Sequence, residues 1–154
     1  MDFDAQVSAM VTSGVKDVEL YIYSKGGSCF EANEIVNIIK RFPGTISCVG
    51  GAIVASAASY IAINCNSFSM PANGLLMIHK PNLETFGNAD EIGSQLEMLK
   101  TMTDIYCKAY AKKTGLSEQQ VSDLWATECW MGAEEALQKK FCDSIIADES
   151  IDNT

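Results

Sequence analysis

Three β-rich runs separated by turn and helix signals constrain this chain more than any other feature. Val18–Tyr23, Thr45–Val49 and Leu75–His79 read as strands. Between the first two, Ser24-Lys25-Gly26-Gly27-Ser28 forms a glycine turn. Ser28 with Glu31 three residues on is a capping-box pattern, so a helix starts there. Its apolar positions Phe30, Ile35, Ile38, Ile39 and Phe42 keep helical spacing, and Pro43-Gly44 stops it. After Val49 comes Gly50-Gly51, then the small residues Ala55-Ser56-Ala57-Ala58-Ser59, then the apolar Tyr60–Ile63, read as a turn into a helix that closes at Asn64–Asn66. Ser67–Met70 is a short extended run, and Pro71–Gly74 turns the chain into the third strand. A helix over residues 4 to 13, ended by Gly14, precedes all of this. Strands alternating with helices predict an α/β domain with a mainly parallel sheet and right-handed crossovers.

Parallel alignment has a chemical consequence. The Gly26-Gly27 turn, the turn carrying Ser56, and His79 all fall at C-terminal ends of strands. Those ends gather on one side of a parallel sheet, where ligands bind. Ser56 sits at a turn into a helix start among small neighbours, the setting of a serine nucleophile with backbone N–H donors beside it. His79 is the one histidine, so an imidazole base, if used, is assigned to it. Gly26, Gly27 and Ala57 are candidate N–H donors for an oxyanion. An orienting acid is open among Glu84, Asp90, Glu91, Asp104, Asp123, Glu128 and Asp143. Cys65 and Cys129 lack a turn-to-helix start with small neighbours and are set aside as nucleophiles.

Composition narrows the partners. A net charge of −9 argues against a nucleic-acid surface. No apolar run reaches the length of a membrane span, and the acidic start Met1-Asp2-Phe3-Asp4 lacks signal-peptide order. Six cysteines form no CxxC pair, and one histidine cannot complete a zinc site, so no metal is expected. Cysteines in apolar runs fit a reduced, cytoplasmic protein. A short acidic stretch, Asp148 to Asp152, ends the chain.

From Asn88 the pattern changes. Asn88 and Glu91 make an N-cap pair, and Ile92, Leu96, Leu99, Ile105, Tyr106 and Ala109 hold a helical period up to Gly115. Such a long helix either projects towards a partner or lies along the sheet; the pattern leaves both open. Short helices follow at Ser117 and Ala133, and Phe141–Ile146 reads as a final edge strand. No repeat or linker divides the expected single domain of residues 1–154.

At this point the residues resemble the ClpP-type serine peptidases, particularly their prophage-encoded, head-maturation-like branch. Ile22-Tyr23-Ser24-Lys25-Gly26-Gly27-Ser28 is similar to the family's Asn-Ser-Pro-Gly-Gly turn. Val54–Tyr60 resembles its nucleophile segment, with Ser56 in the serine position. Met77-Ile78-His79-Lys80-Pro81 resembles its Met-Ile-His-Gln-Pro segment, and Glu128–Ala136 the segment holding the acid. The resemblance implies a crotonase-like fold of repeated ββα units and stacked homo-oligomeric rings enclosing a chamber. It implies a handle over about residues 82–114 that meshes the rings. It implies a Ser56–His79–Glu128 triad with Asp123 in reserve, an oxyanion hole of Gly27 and Ala57, and substrate contacts from Gly26, Leu83 and Phe86. Peptides or unfolded proteins are the implied substrates, with no cofactor. An ATP-driven AAA+ unfoldase partner is implied only through a flexible N-terminal axial loop, which the short stretch before Ser24 is expected to lack.

Three departures stand out: Lys25 replaces the turn's proline, Tyr23 replaces its asparagine, and Glu128 stands where chambered members have aspartate. Two rival readings share the fold. One is a crotonase-type acyl-CoA hydratase or isomerase, which needs no serine–histidine pair. The other is a ring-forming subunit without a working triad.

Overall fold

The computed structural model describes residues 2–147; the acidic stretch from Asp148 lies outside them. In chain order the elements are α1 (Phe3–Thr12), β1 (Asp17–Ser24), α2 (Cys29–Arg41), β2 (Thr45–Ala55), α3 (Ala57–Ile63), β3 (Ser67–Pro71), β4 (Leu75–Ile78), α4 (Ala89–Thr114), α5 (Glu118–Leu124), β5 (Cys129–Gly132), α6 (Ala133–Gln138) and β6 (Ser144–Ile146). The molecule is built around β2. One edge of β2 pairs in parallel with β1 from Asp17↔Thr45 to Ser24↔Val54. Its other edge is shared. β3 pairs with the first half (Ser47↔Ser67) and β4 with the second (Ala55↔Met77), both in parallel. β6 extends the sheet beyond β3 in parallel, and β5 closes it beyond β4 as the one antiparallel strand among the described residues. The mainly parallel α/β sheet expected from the alternation is therefore present.

One boundary differs from the sequence reading. Gly50-Gly51 does not open the turn to Ser56; β2 runs through both glycines to Ala55. The reason is close approach. A Cβ on Gly51 would lie 2.6 Å from the Tyr21 hydroxyl, and one on Gly50 would lie 3.1 Å from Val54 Cγ2. Glycine lets β1 fold its tyrosines over this part of β2, where the register shifts between Ile22 and Ser24. A second strand, β5, carried no periodicity to announce it; at four residues it is too short.

Helix boundaries follow their caps. Ser28 caps α2, and Lys40 and Arg41 occupy its last turn, where cations complement the dipole. Ala32, Val36, Ile38 and Ile39 are its buried residues, and it packs against α3 and α1. α4 opens with the Asn88–Glu91 reciprocal capping box and ends at Gly115 in the left-handed region, φ 78°. At 26 residues it is about 39 Å long. Its C-terminal half packs on α3 and α5 rather than along the sheet. Its buried residues begin only at Met102; Tyr106 stacks on Tyr60 of α3 with ring centroids 3.8 Å apart. The half before Met102 has no fully buried residue, with Ile92 41% and Leu96 49% exposed, though Met98 and Leu99 face the cavity described below.

Candidate active site

The site begins with a forced turn. β2 ends at Ala55, α3 begins at Ala57, and Ser56 between them takes φ 57°, ψ −128°. A non-glycine residue in this region stores about 1–3 kcal/mol of strain. Three bonds hold it there. The Ser56 N–H donates to Met77 O of β4 at 2.9 Å. The Ser59 hydroxyl donates to Ser56 O at 2.6 Å and meets the Tyr110 hydroxyl of α4 at 2.7 Å. Ser59 and Tyr110 are both buried. Burial pushes the Tyr110 phenol above its ordinary range, so it stays a neutral hydrogen-bonding group.

The strained turn points the Ser56 side chain out of its own helix; Oγ caps nothing in α3. It is bonded instead to His79 Nε2 at 2.7 Å. The Ala55↔Met77 register explains the meeting: Ser56 and His79 are the residues just past the ends of adjacent parallel strands. Both are half-buried. For Nε2 to accept the serine proton, neutral His79 carries its own proton on Nδ1.

The glycine turn after β1 comes down on the same spot. Gly26 has φ 105°, and a Cβ there would lie 2.6 Å from Ser56 Cβ and 2.9 Å from Ala55 O. Only glycine lets this loop lie against the nucleophile. The Ser24 hydroxyl accepts from Gly26 N–H at 3.1 Å and shapes the turn. Gly27, next along, has open space around it. Neither the Gly27 N–H nor the Ala57 N–H has an acceptor among the described residues.

Ser56 and His79 open onto a cavity of about 220 Å³ also lined by Gly27, Leu83, Met98 and Tyr106. Of the three expected substrate contacts, Leu83 is on this wall. Gly26 lines a neighbouring apolar hollow of about 270 Å³ with Ile22, Ile35 and Ile61. Phe86 is 93% exposed and lines neither. The sequence reading missed the part played by α4: Met98, Met102 and Tyr106 complete the cavity. Their i, i+4, i+8 spacing was a readable signal, since it puts them on one helix face.

The acids are dispersed. Asp104 pairs with Lys108 at 2.6 Å, Asp143 with Lys113 at 2.7 Å, and Glu91 serves its capping box. Asp123 accepts from Gln119 Nε2 at 2.9 Å. Glu128 lies just before β5, and its Oε2 accepts from Trp130 Nε1 at 3.0 Å. Among the described residues His79 hydrogen-bonds to Ser56 alone. The site thus holds a nucleophile paired with a base, beside two free N–H donors and a walled cavity. Such a set can open an acyl bond through a covalent intermediate. Cys129, half-buried beside it in β5, has its thiol pushed up by burial; Cys65 is buried and bonds to Ile61 O at 3.6 Å. The Cys48 thiol beside it holds the Cys65 thiol below its usual range, but neither Cys65 nor Cys129 lines the cavity that Ser56 and His79 open onto. The described residues gather no set of three or more His, Cys, Asp or Glu fit for a metal.

Known proteins resemble this chain over most of its length. The Clp protease family model matches residues 5–149. The ATP-dependent Clp protease proteolytic subunit 2 of Treponema denticola is 31% identical over 82% of this chain and 64% of its own length. Subunit 1 of Streptomyces avermitilis is 27% identical over 89% of this chain and 63% of its own. Subunit 3 of Rhizobium etli is 24% identical over 95% of this chain and 76% of its own. The chain therefore spans just under two thirds of the length of the first two relatives.

Proposed function

The chain belongs to the Clp protease family, and from that premise we propose that it is a serine endopeptidase acting on peptides or unfolded proteins. The observation that carries this reading is the 2.7 Å Ser56 Oγ–His79 Nε2 contact at a strained strand-to-helix turn. Ser56 Oγ attacks the scissile carbonyl as His79 Nε2 takes its proton. The carbonyl oxygen, now an anion, is held by the Gly27 and Ala57 N–H groups. The tetrahedral species collapses, His79 protonates the leaving amine, and the acyl group remains on Ser56. Water then gives a proton to His79, attacks the ester carbon, and releases the acid with Ser56 reprotonated. Glu128 is the acid that orients His79, with Asp123 in reserve. Gly26, Leu83 and Phe86 are the proposed substrate contacts; Gly26 acts by keeping its loop against Ser56.

The working form in this reading is a ring-shaped homo-oligomer, with residues 1–154 as one domain and residues 82–114 as the handle. The exposed Ile92 and Leu96 on the N-terminal half of α4 support a protein contact there. A cytoplasmic location and membership of the prophage branch complete the proposal, which does not depend on an AAA+ unfoldase partner. No described helix is long and apolar enough to cross a membrane. The acyl-CoA reading draws no support from the site, because a thioester enolate needs no serine–histidine pair.

The test is intact-mass analysis after exposure to a fluorophosphonate probe. The parent should gain one adduct that is lost in both Ser56→Ala and His79→Ala. Absence of the adduct from an assembled sample would overturn the reading and return weight to a subunit without a working triad.

A further inference from the structure

The antiparallel register of β4 and β5 runs Leu75↔Gly132, Leu76↔Met131, Met77↔Trp130 and Ile78↔Cys129. Continuing that register by one step, past the last residues of both strands, would set His79 opposite Glu128. Directly opposed residues share a sheet face, with Cβ atoms about 4.5–5.5 Å apart. A glutamate side chain spans that distance. Glu128 and Trp130, two apart in the chain, also share a face. The Glu128 carboxylate therefore has two donors within its range: the His79 Nδ1–H across the sheet and the Trp130 indole N–H beside it. In this structure it is on the indole, at 3.0 Å, and His79 Nδ1 has no partner among the described residues.

We propose that Trp130 is a positioning residue that withholds the acid from the Ser56–His79 pair, so that Glu128 orients His79 only when it leaves the indole. Indole nitrogen is a donor only, so its role here is to hold an acceptor. Trp130 is 46% exposed and Glu128 is exposed, so the contact is open to water and breaks at little cost. Glu128 precedes the four-residue strand β5 and has no partner in the ladder, whereas Trp130 is held by its pairing with Met77. A bound peptide or a neighbouring copy that offers the Trp130 indole another acceptor would free the carboxylate for His79. The kinetic part of this inference rests on the serine-peptidase reading; the structural part does not.

The experiment compares the full-length parent with Trp130→Phe, Glu128→Gln and the double variant. Phenylalanine keeps the ring and removes the donor. The first readout is the nuclear magnetic resonance of the one histidine, labelled with ¹⁵N. Trp130→Phe should bring out a downfield, slowly exchanging Nδ1–H proton that the parent lacks and the double variant loses. Glu128→Gln in the parent background should move the Trp130 indole N–H resonance. The second readout is the rate at which fluorophosphonate labels Ser56. Trp130→Phe should raise it by roughly ten- to a hundredfold, the range one hydrogen bond to a charged group spans, and the double variant should lose the gain.

A downfield Nδ1–H already present in the parent and removed by Glu128→Gln would overturn the proposal. So would a Trp130→Phe protein in which neither readout changes while Ser56 still labels; the peptidase reading would survive that result. Resonance changes as expected in protein that never labels would uphold the Glu128–Trp130 exchange and remove the peptidase reading instead.

Discussion

The two arms of the site are built differently. Ser56 and His79 leave adjacent parallel strands in the middle of the sheet, and each is held by backbone pairing on the strand behind it. Ser56 is further tied through Ser59 to the buried Tyr110 of α4. Glu128 leaves the end of an edge strand four residues long, is exposed, and bonds to a neighbour two residues away. The central arm is preorganised in its backbone, because moving either Cα means breaking sheet pairing. The edge arm is a choice between donors of similar strength. Residues can therefore be brought near one another by the backbone and still be divided in their side chains.

The largest expected effects strike the central arm. Ser56→Ala and His79→Ala should each lower peptidase kcat/KM by about 10⁴-fold or more, read with a fluorogenic peptide on assembled protein. If either variant retained near-parental turnover, the central arm would not be the catalytic one. Next comes Gly26→Ala. Its Cβ would meet Ser56 Cβ at 2.6 Å on a backbone with φ 105°, and displacing the nucleophile should slow labelling by about a hundredfold. Gly27→Ala, with open space around it, should change stability by no more than about 0.5 kcal/mol, measured by denaturant titration. Equal damage from both glycines would mean that the loop does not lie against Ser56.

Tyr110→Phe probes the tie between α4 and the nucleophile. It leaves the buried Ser59 hydroxyl with one partner fewer and should cost about 1–3 kcal/mol of stability, read as a lowered Tm. A Tm unchanged by this substitution would show the central arm to be held by the sheet alone. The smallest effect belongs to the edge arm. With Trp130 intact, Glu128→Gln should change the labelling rate by about tenfold at most. A loss rivalling that of His79→Ala would erase the contrast between the arms.

Much of this was legible in the chain because it is local. Asn88 with Glu91 and Ser28 with Glu31 mark helix starts through bonds spanning three residues. Ser56 and His79 could be brought together on paper because parallel strands place their C-terminal ends side by side. The strand through Gly50-Gly51 was not legible. Two glycines read as a turn until Tyr21 is seen to need the space above Gly51, and Tyr21 lies on another strand. Likewise α4 carries the pattern of a long helix along its whole length, and nothing in that pattern says that burial starts at Met102.

Order and spacing along the chain settled the parallel sheet, the capped helices, and the placing of Ser56, His79 and the Gly26-Gly27 turn at one sheet edge. These follow from backbone preferences and hydrophobic periodicity, which act over a few residues and survive in any context. Three things waited for the tertiary structure: the length of β2, the α4 face that walls the cavity, and the partner of the Glu128 carboxylate. Each is a contest between groups distant in sequence or equal in strength. Such contests are decided by which atoms the fold leaves within hydrogen-bond or van der Waals reach.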